Sequence, residues 1–85
     1  MNEHDIKKEV LMILRESLYV DREIEAQDRL CYELGMDSLD FIIVSMKIEK
    51  EMDVIIEAND ITKETTVGEF MEIVKSRAEQ KKTPD

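Results

Sequence analysis

The sequence predicts an all-α fold, a small three- to four-helix bundle with a long loop between the first two long helices. Apolar residues recur at steps of three and four in three separate segments, the period of helices with one buried face. Turn-forming residues are scarce, with only Gly35, Gly68 and Pro84 as strong punctuation. The 85 residues suffice for one small domain and not for two. Residues 1–85 are therefore expected to form a single domain with an ordered core at about 5–77 and a polar tail at 78–85.

The first helix is expected over about Asp5 to Leu18, where Ile6, Val10, Leu14 and Leu18 follow one another every four residues with Ile13 alongside. From Tyr19 to Met36 that period is lost, yet Ile24, Leu30, Tyr32 and Leu34 are scattered through the segment. This predicts a long connection pinned to the core, of the kind that carries function or hidden structure. A second helix should start at Asp37 or Ser38 and run to about Met52, with Asp37 as N-cap and Asp40 adding favourable charge near the positive end of the helix dipole. The stretch VIIEANDI then predicts one short helical turn or an irregular crossing, since a strand there would have no partner. The last helix should open at Thr66, where TVGE has the spacing of a capping box, with Val67, Phe70, Met71 and Val74 on its apolar face. Beyond Arg77 the polar AEQKKTPD should fray.

Composition narrows the function. The net charge is −9, and between Glu33 and Glu72 eleven acidic residues face three basic ones. That sign disfavours nucleic acid and makes a basic protein surface the natural counterpart. No apolar run is long enough to insert in a membrane, and MNEHDIKKEV has charges where a secretory signal needs an apolar centre, so a soluble cytoplasmic chain is expected. Cys31 is the only cysteine and His4 the only histidine. Neither an internal disulfide nor a Cys/His metal cluster can form from them, and both are read as incidental. No twelve-residue stretch has the alternate acidic ligands, central glycine and closing glutamate of a calcium-binding hand.

The second helix has more apolar residues than one core stripe can use. Phe41, Val44, Ile48 and Met52 make a complete buried face, while Leu39, Ile42 and Met46 follow the same steps on a rotated face, with Ile43 between. In a bundle this small, part of the second set should meet solvent or a partner. It forms a docking strip rimmed by Asp37, Asp40 and Glu49, with the adaptable thioether of Met46 suited to varied surfaces. Ser38, between Asp37 and Leu39, has no general base nearby in sequence, so it is a poor nucleophile by itself. A hydroxyl at a helix N-terminus is nevertheless well placed to bear a phosphate. Because Asp37 and Asp40 repel free phosphate, an enzyme should bring a phosphodiester there.

In this frame ELGMDSLDF, residues 33–41, resembles the modification motif of acyl carrier proteins. The resemblance extends from about Ile6 to Val74. It takes in the loop ending in Leu34-Gly35, KIEKEMDV at the end of the second helix, IEANDI, and the Thr65-Thr66-Val67 triplet. It implies a carrier and not an enzyme. Ser38 would receive 4'-phosphopantetheine from coenzyme A, Asp37 would help a phosphopantetheinyl transferase place its metal and coenzyme A, and acyl groups would ride on the arm as thioesters. Leu39, Asp40, Ile42, Met46 and Glu49 would be read by that transferase and by acyl-transfer and synthase enzymes of fatty-acid or related lipid and polyketide biosynthesis. Val44, Ile48, Ile56, Ile61, Phe70 and Ile73 would line an acyl pocket, and the chain would act as a monomer.

The second helix departs from the family's acidic face, because Ile43, Lys47 and Lys50 dilute it. This makes a dedicated pathway nearly as strong an expectation as housekeeping fatty-acid synthesis. Phe70 stands where a small residue would leave room, which suits a short or polar acyl group. An unmodified helical adaptor that binds through Leu39, Ile42 and Met46 fits composition and periodicity equally well, and only the Asp-Ser-Leu context argues against it. A peptidyl carrier is disfavoured because Gly35-Met36-Asp37 resembles the acyl type.

Overall fold

The structure is a computed structural model that describes residues 2–81. Its elements are α1 (Glu3–Leu18), α2 (Ser38–Met52), a 3-10 turn (Ala58–Asp60) and α3 (Val67–Lys81). α1 packs against both α2 and α3, which places it at the centre of the bundle. Ile6, Val10, Ile13 and Leu14 supply its buried stripe, and Val44, Ile48, Val67, Phe70 and Val74 close around it.

α1 begins two residues earlier than expected because Asn2 caps it, its Oδ1 accepting from Asp5 N–H at 2.8 Å. α1 and α2 end without glycine. Tyr19 (φ 56°) and Asp53 (φ 57°) instead take the left-handed conformation, and their N–H groups donate to the carbonyls of Arg15 and Glu49. The reciprocal bonds expected from TVGE are present, with Thr66 N–H donating to Glu69 Oε1 at 2.8 Å and Glu69 N–H to Thr66 Oγ1 at 3.1 Å. α3 runs on to Lys81, so the expected end near Arg77 is corrected by one further turn. Alanine, glutamate, glutamine and lysine are good helix formers, and nothing in that stretch breaks the helix. The remaining tail residues, 82–85, lie outside the described residues.

The connection over residues 19–37 is tied down as its scattered apolar residues predict. Ile24, Leu30, Leu34 and Met36 are buried. Its backbone is laced to the entry of α3: Leu30 N–H donates to Thr65 O, Val67 N–H to Asp28 O and Gly68 N–H to Ala26 O. Gly68 eases that crossing, for a Cβ would stand 3.3 Å from the Ala26 carbonyl oxygen and press the two segments apart by a few tenths of an ångström. Tyr32 is the exception to the expected pinning. It is exposed, with the Arg29 guanidinium 4.5 Å above its ring.

Candidate functional site

Ser38 is the first residue of α2 and is exposed. Its position is fixed from both sides. Gly35, with φ 73°, turns the chain just before it, and the Met36 side chain anchors that turn in the core. Asp37 caps the helix through Oδ1, which accepts from Asp40 N–H at 2.8 Å, and Asp40 Oδ2 in return accepts from Asp37 N–H at 3.2 Å. This reciprocal box gives Asp40 a role beyond its charge, and it fixes both carboxylates in the turn of helix that Ser38 opens. Ser45, the other serine of the helix, differs: its hydroxyl donates to the Ile42 carbonyl at 3.0 Å.

An open cleft of about 750 Å³ adjoins Ser38. One wall comes from the long connection, with Cys31, Tyr32 and Met36; α2 contributes Ser38, Phe41 and Ile42. The opposite wall is the segment before α3, with Ala58, Ile61, Thr62 and Lys63. Cys31, the only cysteine and read from sequence as incidental, thus lines the same cleft as the serine. Among the described residues no group of histidine, cysteine or carboxylate side chains could hold a metal ion.

The rotated face of α2 is open to solvent. Leu39 is 67% exposed, Ile42 50% and Met46 63%, with Ile43 joining them and Glu49 exposed further along. The first set behaves otherwise, since Val44 and Ile48 are fully buried and Phe41 and Met52 are half-buried. Of the residues assigned to an acyl pocket, Val44, Ile48, Ile56 and Phe70 are core. Ile61 lines the cleft beside Ser38, and Ile73 lines a separate groove of about 470 Å³ with Asp60, Thr65 and Glu69. Cys31, Tyr32, Thr62 and Lys63 were not legible as cleft residues, because each comes from an aperiodic segment whose position depends on tertiary hydrogen bonds.

Charged side chains on the segments that supply the cleft walls form ion pairs with one another and with α3. Arg29 donates through Nε and Nη2 to Glu33 at 3.0 and 2.9 Å, and through Nη1 to Glu64 at 3.3 Å. The hydrogen bonds from Arg29 hold the Glu33 carboxyl below its usual range. On the far side, the Arg77 fork grips Asp60, and that guanidinium holds the Asp60 carboxyl below its usual range.

Residues 8–74 match the family model described as a phosphopantetheine attachment site. The chain is also similar to an acyl carrier protein of Thermotoga maritima, at 31% identity over 74 residues that cover 86% of this chain and 91% of that protein. No helix among the described residues is long and apolar enough to cross a membrane.

Proposed function

The chain belongs to the acyl carrier protein family, carriers and not catalysts, whose prosthetic group is 4'-phosphopantetheine, and from that premise we propose that Ser38 is the attachment point. The observation that carries this is the exposed Ser38 hydroxyl at a doubly capped helix start, opening on a cleft large enough to receive part of an arm. In the attachment step the Ser38 oxygen bonds to the pantetheine-side phosphorus of coenzyme A and the pyrophosphate P–O bond breaks. Adenosine bisphosphate leaves, and the hydroxyl proton passes to a base of the transferase. The arm supplies a thiol that holds acyl groups as thioesters at high effective concentration for each docked enzyme. Asp37 supports the step by fixing the serine at the helix start and by offering a carboxylate to the transferase metal.

The partner surface in this reading is the exposed strip of Leu39, Ile42 and Met46 with Asp40 and Glu49 at its edge. The exposure of three large apolar side chains on one helix face supports it. The phosphopantetheinyl transferase and the acyl-transfer and synthase enzymes of fatty-acid or related lipid and polyketide biosynthesis would dock there, on a monomeric carrier formed as one domain by residues 1–85. The family membership favours this over the unmodified adaptor, which would use the same strip. Ile43, 41% exposed within the strip, together with Lys47 and Lys50, supports enzymes dedicated to this carrier. Phe70, fully buried where a smaller residue would leave space, supports a short or polar cargo.

Tandem mass spectrometry of the tryptic peptide Leu30–Lys47 after loading tests the attachment point, since that peptide holds both Ser38 and Ser45. The modification should fall on Ser38. Its appearance on Ser45, whose hydroxyl is already bonded within the helix, would overturn the assignment. Loading by general fatty-acid enzymes at the rate of a housekeeping carrier would overturn the dedicated pathway.

A further inference from the structure

We infer that Lys63 is the counter-charge for the phosphodiester of the arm and holds the arm's first segment against the cleft, an inference that rests on Ser38 as the attachment point. A phosphodiester on Ser38 is an anion placed beside two carboxylates, those of Asp37 and Asp40. The helix start helps it, because the Ser38 and Leu39 amides are free of the capping bonds and the dipole favours negative charge. The capping pair works against that help by repulsion within the same turn. A nearby cation would offset that repulsion and draw the tethered phosphodiester toward its own side of the cleft.

Lys63 is the one cation among the described residues lining the cleft with Ser38. Arg29 is committed to Glu33 and Glu64 and stacked on Tyr32. Lys47 and Lys50, on α2 itself, stand roughly 13 and 18 Å along the axis from Ser38 at the helical rise per residue. Lys63 makes no ion pair among the described residues, and its neighbour Glu64 already pairs with Arg29.

The backbone that presents Lys63 is also fixed. Thr62 N–H donates to Thr65 Oγ1 at 2.8 Å, Glu64 N–H to Thr62 Oγ1 at 3.1 Å, and Thr65 N–H to Thr62 O at 3.2 Å. Thr65 is itself buried. Lys63 is thus carried on a closed turn, so meeting an anion costs mainly side-chain freedom.

The ligand chemistry is a single anionic oxygen cluster, which a carboxylated cargo could also offer, so the test separates the two sources. Wild-type, Lys63→Gln and Lys63→Arg chains are loaded with coenzyme A and a transferase, and intact mass confirms the arm on each. The ³¹P resonance is then compared with the thiol free, where the phosphodiester is the arm's only anion. Lys63→Gln should displace the resonance toward that of the same serine-linked phosphodiester in a short unstructured peptide, Lys63→Arg should keep it near wild type, and the difference should fade in high salt. One common resonance in all three chains would overturn the inference, as would a difference that emerges only with a carboxylated acyl group attached. No mass gain in the wild-type chain would overturn the Ser38 assignment, and this inference with it.

Discussion

Arg77 of α3 grips Asp60 of the 3-10 turn through both forks of its guanidinium, Nη2 at 2.7 Å from Oδ1 and Nη1 at 2.8 Å from Oδ2. Nη1 also donates to the Ile55 carbonyl at 2.8 Å. Two points of the segment between α2 and α3 are thereby fastened to one side chain, and that segment includes the Ala58 and Ile61 wall of the cleft. Planar bidentate pairing is specific to arginine. Arg77→Met, which keeps the stem and removes the fork, should lower the melting temperature by several degrees and expose the Asp60 and Ile61 amides to hydrogen exchange. An unchanged melting temperature with unchanged protection would show that the clamp is idle.

The same pair sets part of the acid response. Hydrogen bonds from Arg77, Arg22, Arg29 and Lys75 hold Asp60, Asp28, Glu33 and Glu3, respectively, below their ordinary values of 3.8 for aspartate and 4.5 for glutamate. A carboxyl with a depressed native pKa stabilises the fold above its unfolded value and loses that contribution as pH falls through the native one. Stability from these pairs should thus be complete near neutrality and decline below the ordinary carboxylate values. Asp60→Asn should be less stable than wild type at neutral pH and should converge on it at low pH in denaturant titrations. Parallel curves down to the lowest pH would contradict the assignment.

Ser17 is buried on α1, and its hydroxyl has no hydrogen-bond partner among the described residues. An unsatisfied buried hydroxyl costs desolvation that alanine avoids. Ser17→Ala should therefore stabilise the fold by about 1 kcal/mol or more in urea unfolding. Destabilisation would mean that the hydroxyl finds a partner in solution.

Tyr19 holds a left-handed backbone at the end of α1 while its side chain is 91% exposed. Its ring contributes little packing to offset the strain of a Cβ in that conformation. Tyr19→Gly should raise stability by about 1 kcal/mol, measured by the same unfolding curves. No gain would indicate that the ring packs more than its exposure suggests.

On the α2 strip, stability and recognition should separate. Leu39→Ala with Met46→Ala removes two exposed side chains, so stability should stay within about 0.5 kcal/mol of wild type. Affinity for a cognate transferase or synthase should fall by about fivefold or more if these are central contacts. Unaltered affinity would move the docking face elsewhere.

Much of this was legible because helical period and capping are local. Ile6, Val10 and Leu14 announced α1, Asp37 announced the start of α2, and the TVGE box announced the start of α3. The surplus of Leu39, Ile42 and Met46 on α2 was equally visible, because a small bundle cannot bury a helix all round. The cleft was not visible. Its walls come from Cys31 and Tyr32 on one side and Ile61 to Lys63 on the other, segments without period. They are brought together by backbone bonds such as Leu30 to Thr65 and by the Arg29 and Arg77 ion pairs. The left-handed caps at Tyr19 and Asp53 were hidden for a related reason, since neither residue is the glycine that marks such an end.

The central claim, that Ser38 bears the arm, is tested most directly by intact mass before and after incubation with coenzyme A, magnesium and a broad-specificity phosphopantetheinyl transferase. Wild type should gain one phosphopantetheine while a folded Ser38→Ala chain gains none. An equal gain in Ser38→Ala, or no gain in folded wild type, would contradict it.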